Sequence, residues 1–376
     1  MAKTVGLVMI VKNEAKIIVR CLKSARPVTD YVLVVDTGSS DGTPEIIEAY
    51  LRSEGLAGKV VSRPWVNFAH NRSEALKLLR EITNVDYGLT IDADETFELD
   101  VGLDIAAFKE ALRSDVYDLE VRLGGIAYGR PALFSNRLPF EYKAVLHEYL
   151  ELPDGATHAA ASELRVICTS DGARSRNPDK FKDDAEVLQR ALQDETDPFL
   201  RSRYTFYLAQ SHFDAGDFDS AYDYYLQRVD LGYWIEERYI SLMRAAQCSE
   251  RLGHPADVQL ALYLRAYNLV PTRAEALHGA AATCRRSSLY ELGFQLARLA
   301  TQIQPPSNAL FLDRAVYDFR ALDELQVCAY WSGHLTESLE ASVELLRRDL
   351  PVDDRARIEV NATYARDKAT GSKRAA

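Results

Sequence analysis

Two acidic clusters in this 376-residue chain have the spacing of groups that do chemistry. In Tyr31-Val-Leu-Val-Val-Asp36-Thr-Gly-Ser-Ser-Asp41-Gly-Thr43 an apolar β-branched run ends on a carboxylate, passes through small residues and enters a helix near Pro44. Small residues let the chain turn tightly and let a flat base or sugar approach the backbone. The carboxylates supply acceptors for ring N–H groups or ribose hydroxyls. The same Asp41-Gly-Thr-Pro run also suits a plain helix entry, in which Asp41 caps and Pro44 starts the helix. In Tyr87-Gly-Leu-Thr-Ile-Asp92-Ala-Asp94-Glu95 a second strand ends on two carboxylates two residues apart. Where a strand leaves its pleat, Asp92 and Asp94 can both address one divalent ion and the nucleotide bound to it. Hard oxygen ligands suit Mg²⁺ or Mn²⁺ bridging a diphosphate. An Asp-x-Asp alone says little, but a partner loop at the end of a separate strand sharpens it.

These clusters need a scaffold. Val5–Val11, Tyr31–Val35, Lys59–Ser62, Tyr87–Ile91, Val116–Leu123 and Leu164–Ile167 read as strands, with helices over Glu14–Ser24 and Thr43–Ser53, the grammar of an α/β domain. In an open parallel sheet ligands bind at the carboxyl ends of strands, where both clusters fall. From about Pro178 the strands stop and helix follows helix. Pro271 and Pro305 lie 34 residues apart, with Ala266 and Ala300 each five residues before them, which is the tetratricopeptide period. Tyr204–Gly232 and Leu325–Leu350 look like further units, the alternative being a generic helical bundle. Stacked pairs of this kind bury their apolar faces only against neighbours. The expected domains are 1–177 (α/β), 178–364 (helical repeat) and a flexible tail, 365–376.

Composition narrows the classes. The net charge of −11 argues against a dedicated nucleic-acid binder, since phosphate contacts need clustered cations. No apolar run approaches the roughly 20 residues that cross a bilayer, so no integral membrane segment is expected. The segment Val5–Val11 lacks the continuation of a signal peptide and reads as a buried first strand. Five scattered cysteines without a C-x-x-C pair indicate neither a disulfide framework nor a zinc knuckle, and a reducing cytoplasm is the expected location.

Taken together, Ile10-Val-Lys-Asn-Glu14, Val35-Asp36-Thr-Gly-Ser-Ser-Asp41-Gly-Thr43 and Ile91-Asp-Ala-Asp94-Glu95 resemble the family 2 glycosyltransferases of the GT-A (Rossmann-like) fold, over roughly Thr4 to Glu148. The helical repeats resemble the tail of a bacterial subgroup. The resemblance implies an inverting hexosyl transfer from a nucleotide-sugar, with UDP the expected nucleotide, using Mn²⁺ or Mg²⁺. Asp36 and Asp41 would hold base and ribose beside the Val11, Asn13 and Glu14 backbone. Asp92 would contact ribose and the metal shell, and Asp94 would ligate the metal.

Further along, Trp65-Val-Asn-Phe68-Ala-His70-Asn71-Arg72 opens a helix, and Arg72 reaches either a base or phosphate of the donor or a surface ion pair. His70 suits a helix start. Gly124-Gly125 and Pro131-Ala-Leu-Phe134-Ser-Asn-Arg137 lead to Val145-Leu-His147-Glu148, which in the resembling subgroup lines the acceptor side. An inverting transfer needs a base, for which Glu148 is the candidate with Glu141 behind it. His147 would complete the metal site or touch phosphate. Members of the family often carry a further metal-binding His near the end of the domain, but here Cys168-Thr-Ser-Asp171-Gly-Ala-Arg174-Ser-Arg176 stands instead. Asp171 would substitute, or Arg174, Arg176 and Lys180 would neutralise the diphosphate from a closing loop. His158 is nearby without a role. Expected partners are the donor and a peptide, protein or glycan acceptor, with a homodimer through the helical domain as a second use of the repeats. Two other readings are a transferase for a cell-envelope or lipid-linked glycan and a non-catalytic scaffold.

Overall fold

A computed structural model describes residues 2–124, 126–307 and 309–370. The chain divides into two compact units, residues 1–187 and 188–376.

The first unit carries, among the described residues, an eight-stranded mixed sheet. In chain order its strands are β1 (Val5–Val11), β2 (Tyr31–Asp36), β3 (Ala57–Ser62), β4 (Tyr87–Thr90), β5 (Glu95–Leu99), β6 (Val116–Leu123), β7 (Ile126–Ser135) and β10 (His158–Cys168). Their order across the sheet is β3-β2-β1-β4-β7-β6-β10-β5. β8 (Glu141–Lys143) and β9 (Tyr149–Glu151) make a separate antiparallel ribbon. β3, β2, β1 and β4 are parallel, with Val11 opposite Asp36, so the ends of β1 and β2 open onto the same edge. The central strands are nearly continuous apolar runs because helices cover both faces of a parallel sheet. One face buries Leu7, Met9, Val32, Val34 and Leu89 under α1 (Ile18–Ala25) and α2 (Thr43–Ser53). The other packs Val8, Leu33 and Val35 against Leu76 and Leu79 of α3 (Phe68–Ile82). In β4 the Phe134 ring stands where a Cβ on Gly88 would sit, 2.6 Å away. Only glycine lets β7 pair so closely beside the strand that delivers Asp92.

Besides the β8–β9 ribbon, two strands of the large sheet were not among the six expected. β7 contains Gly129 and Pro131, residues that usually end strands, yet Pro131 lies opposite Asp118 where the β6–β7 register shifts, a place where a missing N–H is tolerated. β5 begins at Glu95 and closes the sheet antiparallel to β10, directly after the second acidic cluster. α4 (Ile105–Ala111), capped by Asp104, and α5 (Lys180–Asp194) complete the elements near this unit.

The second unit is all-helical: α6 (Pro198–Asp214), α7 (Phe218–Asp230), α8 (Ile235–Arg251), α9 (Ala256–Leu269), α10 (Glu275–Arg286), α11 (Tyr290–Ala300), α12 (Ala321–Ser332), α13 (Leu335–Leu346) and α14 (Val352–Thr370). Each packs on the next, a tetratricopeptide-like helical repeat. The equivalent alanines Ala266 and Ala300 are both buried, because only a small side chain lets the paired helices approach. α14 runs past Tyr364, where the tail was expected to begin; residues 371–376 of that tail, like Gly125, lie outside the described residues. Among the described residues no helix is long and apolar enough to cross a membrane.

Candidate active site

Both acidic clusters sit at carboxyl ends of sheet strands. Asp36 is the last residue of β2 and is buried; its carboxylate accepts hydrogen bonds from the Gly38 and Ser39 N–H groups, both at 3.1 Å. Asn13, at φ 59° after β1, donates its N–H to Ser39 Oγ and accepts from the Ser40 N–H, both at 2.8 Å. The Asp41 carboxylate accepts from the Ala15 N–H (3.1 Å), the Thr43 N–H (3.1 Å) and the Thr43 hydroxyl (2.5 Å). Burial works against ionisation of Asp41, but these donors outweigh it and hold its carboxyl below the usual range. The helix starts at Thr43 with Gly42 at its N-cap and no side-chain cap, so Asp41 is not the capping residue; the side chains of Asp36 and Asp41 instead hold the loop in shape, and Asp41 and Asn13 tie it to residues 13–15.

The second cluster is organised by cations. Arg72, on the second turn of α3, donates from Nε to Glu148 (2.6 Å) and from Nη2 to Asp92 (2.6 Å), with the Tyr142 ring 5.7 Å away. Three residues chosen from sequence thus meet in one bridge. Burial opposes the charge on Asp92, but Arg72 and Arg130 outweigh it and hold its carboxyl low. The turn from Asp92 to Glu95 is pinned from below. Buried Glu95 accepts the Asp92 N–H (3.0 Å) and takes a two-point bond from Arg130 (2.8 and 2.7 Å).

Asp94 has the opposite electrostatics. It is half-buried, and burial together with the charges of Asp92 and Asp171 raises its carboxyl pKa above the usual range. The Gly172 N–H donates to it, and a Cβ on Gly172 would stand 3.1 Å from Asp94 Oδ2, so glycine permits this approach. The next N–H, of Ala173, donates to Glu14 (3.0 and 3.2 Å), whose pKa is likewise raised, first by burial and then by Asp94 and Asp41 despite that bond. Adjacent peptides of one loop therefore link the two clusters on one rim.

The remaining candidates are placed as follows. Val11 ends β1, and its carbonyl accepts the Thr37 N–H (2.9 Å). His147 is exposed at φ 54° beside Glu148. Glu141 pairs with Lys143 (3.0 Å) and His158 with Asp118 (3.0 Å). Asp171 turns to Arg20, with bonds of 2.7 and 2.8 Å that hold its carboxyl far below the usual range. Arg174 lies over the Phe68 ring (4.7 Å) and pairs with Asp184, and Arg176 donates to the Asp171 carbonyl (3.2 Å). Lys180 stands over Phe181, 5.3 Å from its ring. Arg20, Arg130 and Tyr142 were missed. Their partners lie far away in sequence, and Glu95 adjoining Asp94 was the one local hint.

At Asp94 the rim offers a metal a carboxylate oxygen. Among the described residues no three His, Cys, Asp or Glu side chains are grouped to hold an ion by themselves. Mg²⁺-type sites commonly use one or two carboxylates, with substrate phosphates and water completing the shell. Asp94, whose charge is disfavoured by burial and by like-charged neighbours, fits that demand.

The glycosyl transferase family 2 model matches residues 7–167. That segment is a family 2 glycosyltransferase domain. The chain is 36% identical over 95 residues to an uncharacterized glycosyltransferase of Rickettsia bellii, 25% of this chain and 29% of that one. It is 31% identical over 152 residues to a TPR repeat-containing protein of Synechococcus elongatus, 39% of this chain and 35% of the relative. The chain thus spans about a third of the length of these relatives. The crystal structure of Staphylococcus aureus TarS 1-349 overlaps 71% of this chain and 88% of its own, at 16% identity and a TM-score of 0.35.

Proposed function

We propose that the family 2 glycosyltransferase domain transfers a hexose, with inversion, from a nucleotide-sugar to an acceptor nucleophile, with UDP the expected nucleotide. The observation that carries this is the Arg72 bridge, which joins Glu148 to Asp92, two residues before Asp94, on the rim where β4 ends. Mn²⁺ or Mg²⁺ at Asp94, with Asp92 and His147 in its surroundings, would supply neutralising charge for the diphosphate. The 36–43 loop and the backbone of residues 11–14 would receive the nucleoside: their side chains are spent on shaping the loop, which leaves main-chain groups and small residues to face a base. Glu148 accepts the proton of the acceptor hydroxyl as it attacks the anomeric carbon, the bond from that carbon to the diphosphate oxygen breaks and the nucleoside diphosphate leaves with the electron pair, and Arg72 fixes the direction of the Glu148 carboxylate. The Gly172–Lys180 stretch excludes water from the sugar. A peptide or protein acceptor is the reading favoured by a helical repeat on the same chain. A cytoplasmic location and a dimer through the repeats belong to the same proposal.

A thermal-shift panel of UDP-, GDP- and TDP-sugars with Mn²⁺ tests donor use, since a ligand that binds only the folded state raises its melting temperature. Mn²⁺-dependent hydrolysis of the donor that shifts it should follow. If no donor shifts the protein and none is hydrolysed, the non-catalytic scaffold reading takes its place.

A further inference from the structure

Arg130 faces the opposite way from what the alternation of its strand dictates. Along β7, Phe134 packs on the α3 side of the sheet and Leu133 on the side of α1 and α2. Simple alternation would then send Pro131 and Gly129 to the α1 side and Arg130 to the α3 side. The pairing with β6 prevents this. Tyr117 lies opposite Leu133 but Asp118 lies opposite Pro131, so Ala132 is an extra residue in β7. A slip of one residue turns every following side chain to the other face. Arg130 therefore stands opposite Leu119, which belongs to the α1-side core. It shares that face with Phe97 and with Glu95, two residues before Phe97 in β5. Bulges beside active sites characteristically re-aim a side chain in this way.

The redirected guanidinium meets the turn that carries Asp94. Its fork spans both oxygens of buried Glu95, at 2.8 and 2.7 Å. Glu95 closes the turn on itself: its carboxylate accepts the Asp92 N–H and its own N–H donates to the Asp92 carbonyl, both at 3.0 Å. From the far side the Thr169 N–H (3.0 Å) and hydroxyl (2.7 Å) hold the Asp94 carbonyl. The main chain on both sides of Asp94 is thus fixed, and the placement of the Glu95 carboxylate in this frame depends on Arg130. Stability alone is a poor reason for such a link, because a buried ion pair gains little over apolar residues of like volume. Partners that hold the surroundings of a ligating carboxylate do, however, set its direction and its affinity for a cation.

We infer that Arg130 is a positioning residue for the transfer: acting through Glu95, it fixes the Asp92–Glu95 turn and so the place at which the Asp94 carboxylate meets a divalent cation. In this role it needs no contact with donor or acceptor. The inference rests on the proposed role of Asp94.

The test is Mn²⁺ binding by the full chain, with Mn²⁺ alone as the probe and water-proton relaxation as the signal, beside thermal unfolding. Arg130→Met leaves Glu95 buried without its partner, so melting temperature and Mn²⁺ affinity should both fall, the affinity by at least about tenfold. Combining Arg130→Met with Glu95→Gln removes the stranded charge. Melting temperature should then recover while Mn²⁺ affinity stays about tenfold down, because a carboxamide that nothing grips no longer fixes the turn. If affinity returns with stability, or is never lost, Arg130 only balances a buried charge and the inference fails, with Asp94 still the cation's carboxylate. If the parent chain gives no Mn²⁺ signal, or Asp94→Asn gives the same one, the proposed metal role falls and takes this inference with it. Should Arg130→Met not fold, Arg130→Lys supplies the reading, since an ammonium keeps the charge but cannot span both oxygens. A folded Arg130→Lys chain with the parent's Mn²⁺ affinity overturns the inference.

Discussion

The loops after β2 and after β4 start from the same material, two aspartates at the end of a buried parallel strand, and use it in opposite ways. In the 36–43 loop every carboxylate is met by N–H and hydroxyl donors from the chain itself, and Asp41 stays readily ionised as a result. In the 92–95 turn the chain supplies a close cation to Asp92 and to Glu95, while Asp94 has the Gly172 N–H and a pKa that burial first, and then Asp92 and Asp171, raise despite that bond. What an aspartate does at a strand end is thus decided by whether the local backbone can solvate it. Saturated carboxylates build shape, and the under-solvated one is free to take a foreign cation.

The largest effect should come from removing that one charge. Asp94→Asn keeps the volume and the bond from Gly172, and turnover is expected to fall about 10³-fold, roughly 4 kcal/mol of transition-state stabilisation. Because ionised Asp94 sits unfavourably in the fold, the melting temperature should hold or rise. A variant that keeps more than a tenth of its turnover would make the two loops equivalent and break the comparison. Next in size is Arg72→Met, which strands Asp92 and Glu148 together. A loss of about 2–4 kcal/mol in denaturant unfolding is expected, most of it from leaving Glu148 buried without its partner. Asp41→Ala should cost only about 1–2 kcal/mol, the net worth of its lost hydrogen bonds, and should change KM for the donor more than kcat. A kcat loss matching that of Asp94→Asn would assign Asp41 to the chemistry and not to the loop.

Much of this contrast was hidden in the sequence for a physical reason. Apolar runs ending in Asp36 and Asp92 announce β2 and β4, and Gly42 followed by Thr43-Pro44 announces α2, because these signals are local. Which carboxylates are saturated depends on partners brought by the fold. Arg130 reaches Glu95 from a strand that Gly129 and Pro131 disguise, and Arg20 takes Asp171 across 151 residues of sequence. The position of Arg72 could be read from its place in a helix, but helical spacing cannot tell a donor ligand from a brace between two carboxylates. Arg174 shows the same limit: its charge suggested phosphate, while Phe68 and Asp184 hold it.

The smallest expected effect is the pH dependence of stability, and it separates the loops by sign. The raised carboxyls of Asp94 and Glu14 bind protons more tightly in the folded than in the unfolded chain. Their contribution is fully present below the ordinary values of 3.8 and 4.5 and is lost as pH rises through their higher folded values. Asp41, held below 3.8, does the reverse: its contribution is present above that value and is lost as pH falls through the folded one. Relative to the parent chain, Asp94→Asn should therefore gain stability as pH climbs from 3.8 toward neutrality, while Asp41→Asn should lose stability as pH climbs to 3.8 from below and stay level beyond it. Mn²⁺ competes with the proton at Asp94, so the melting shift it causes should grow as that carboxyl ionises and vanish in Asp94→Asn. Parallel curves for the two variants, or a Mn²⁺ shift that survives Asp94→Asn, would place the cation elsewhere and erase the distinction between a carboxylate that shapes the rim and one that waits for charge.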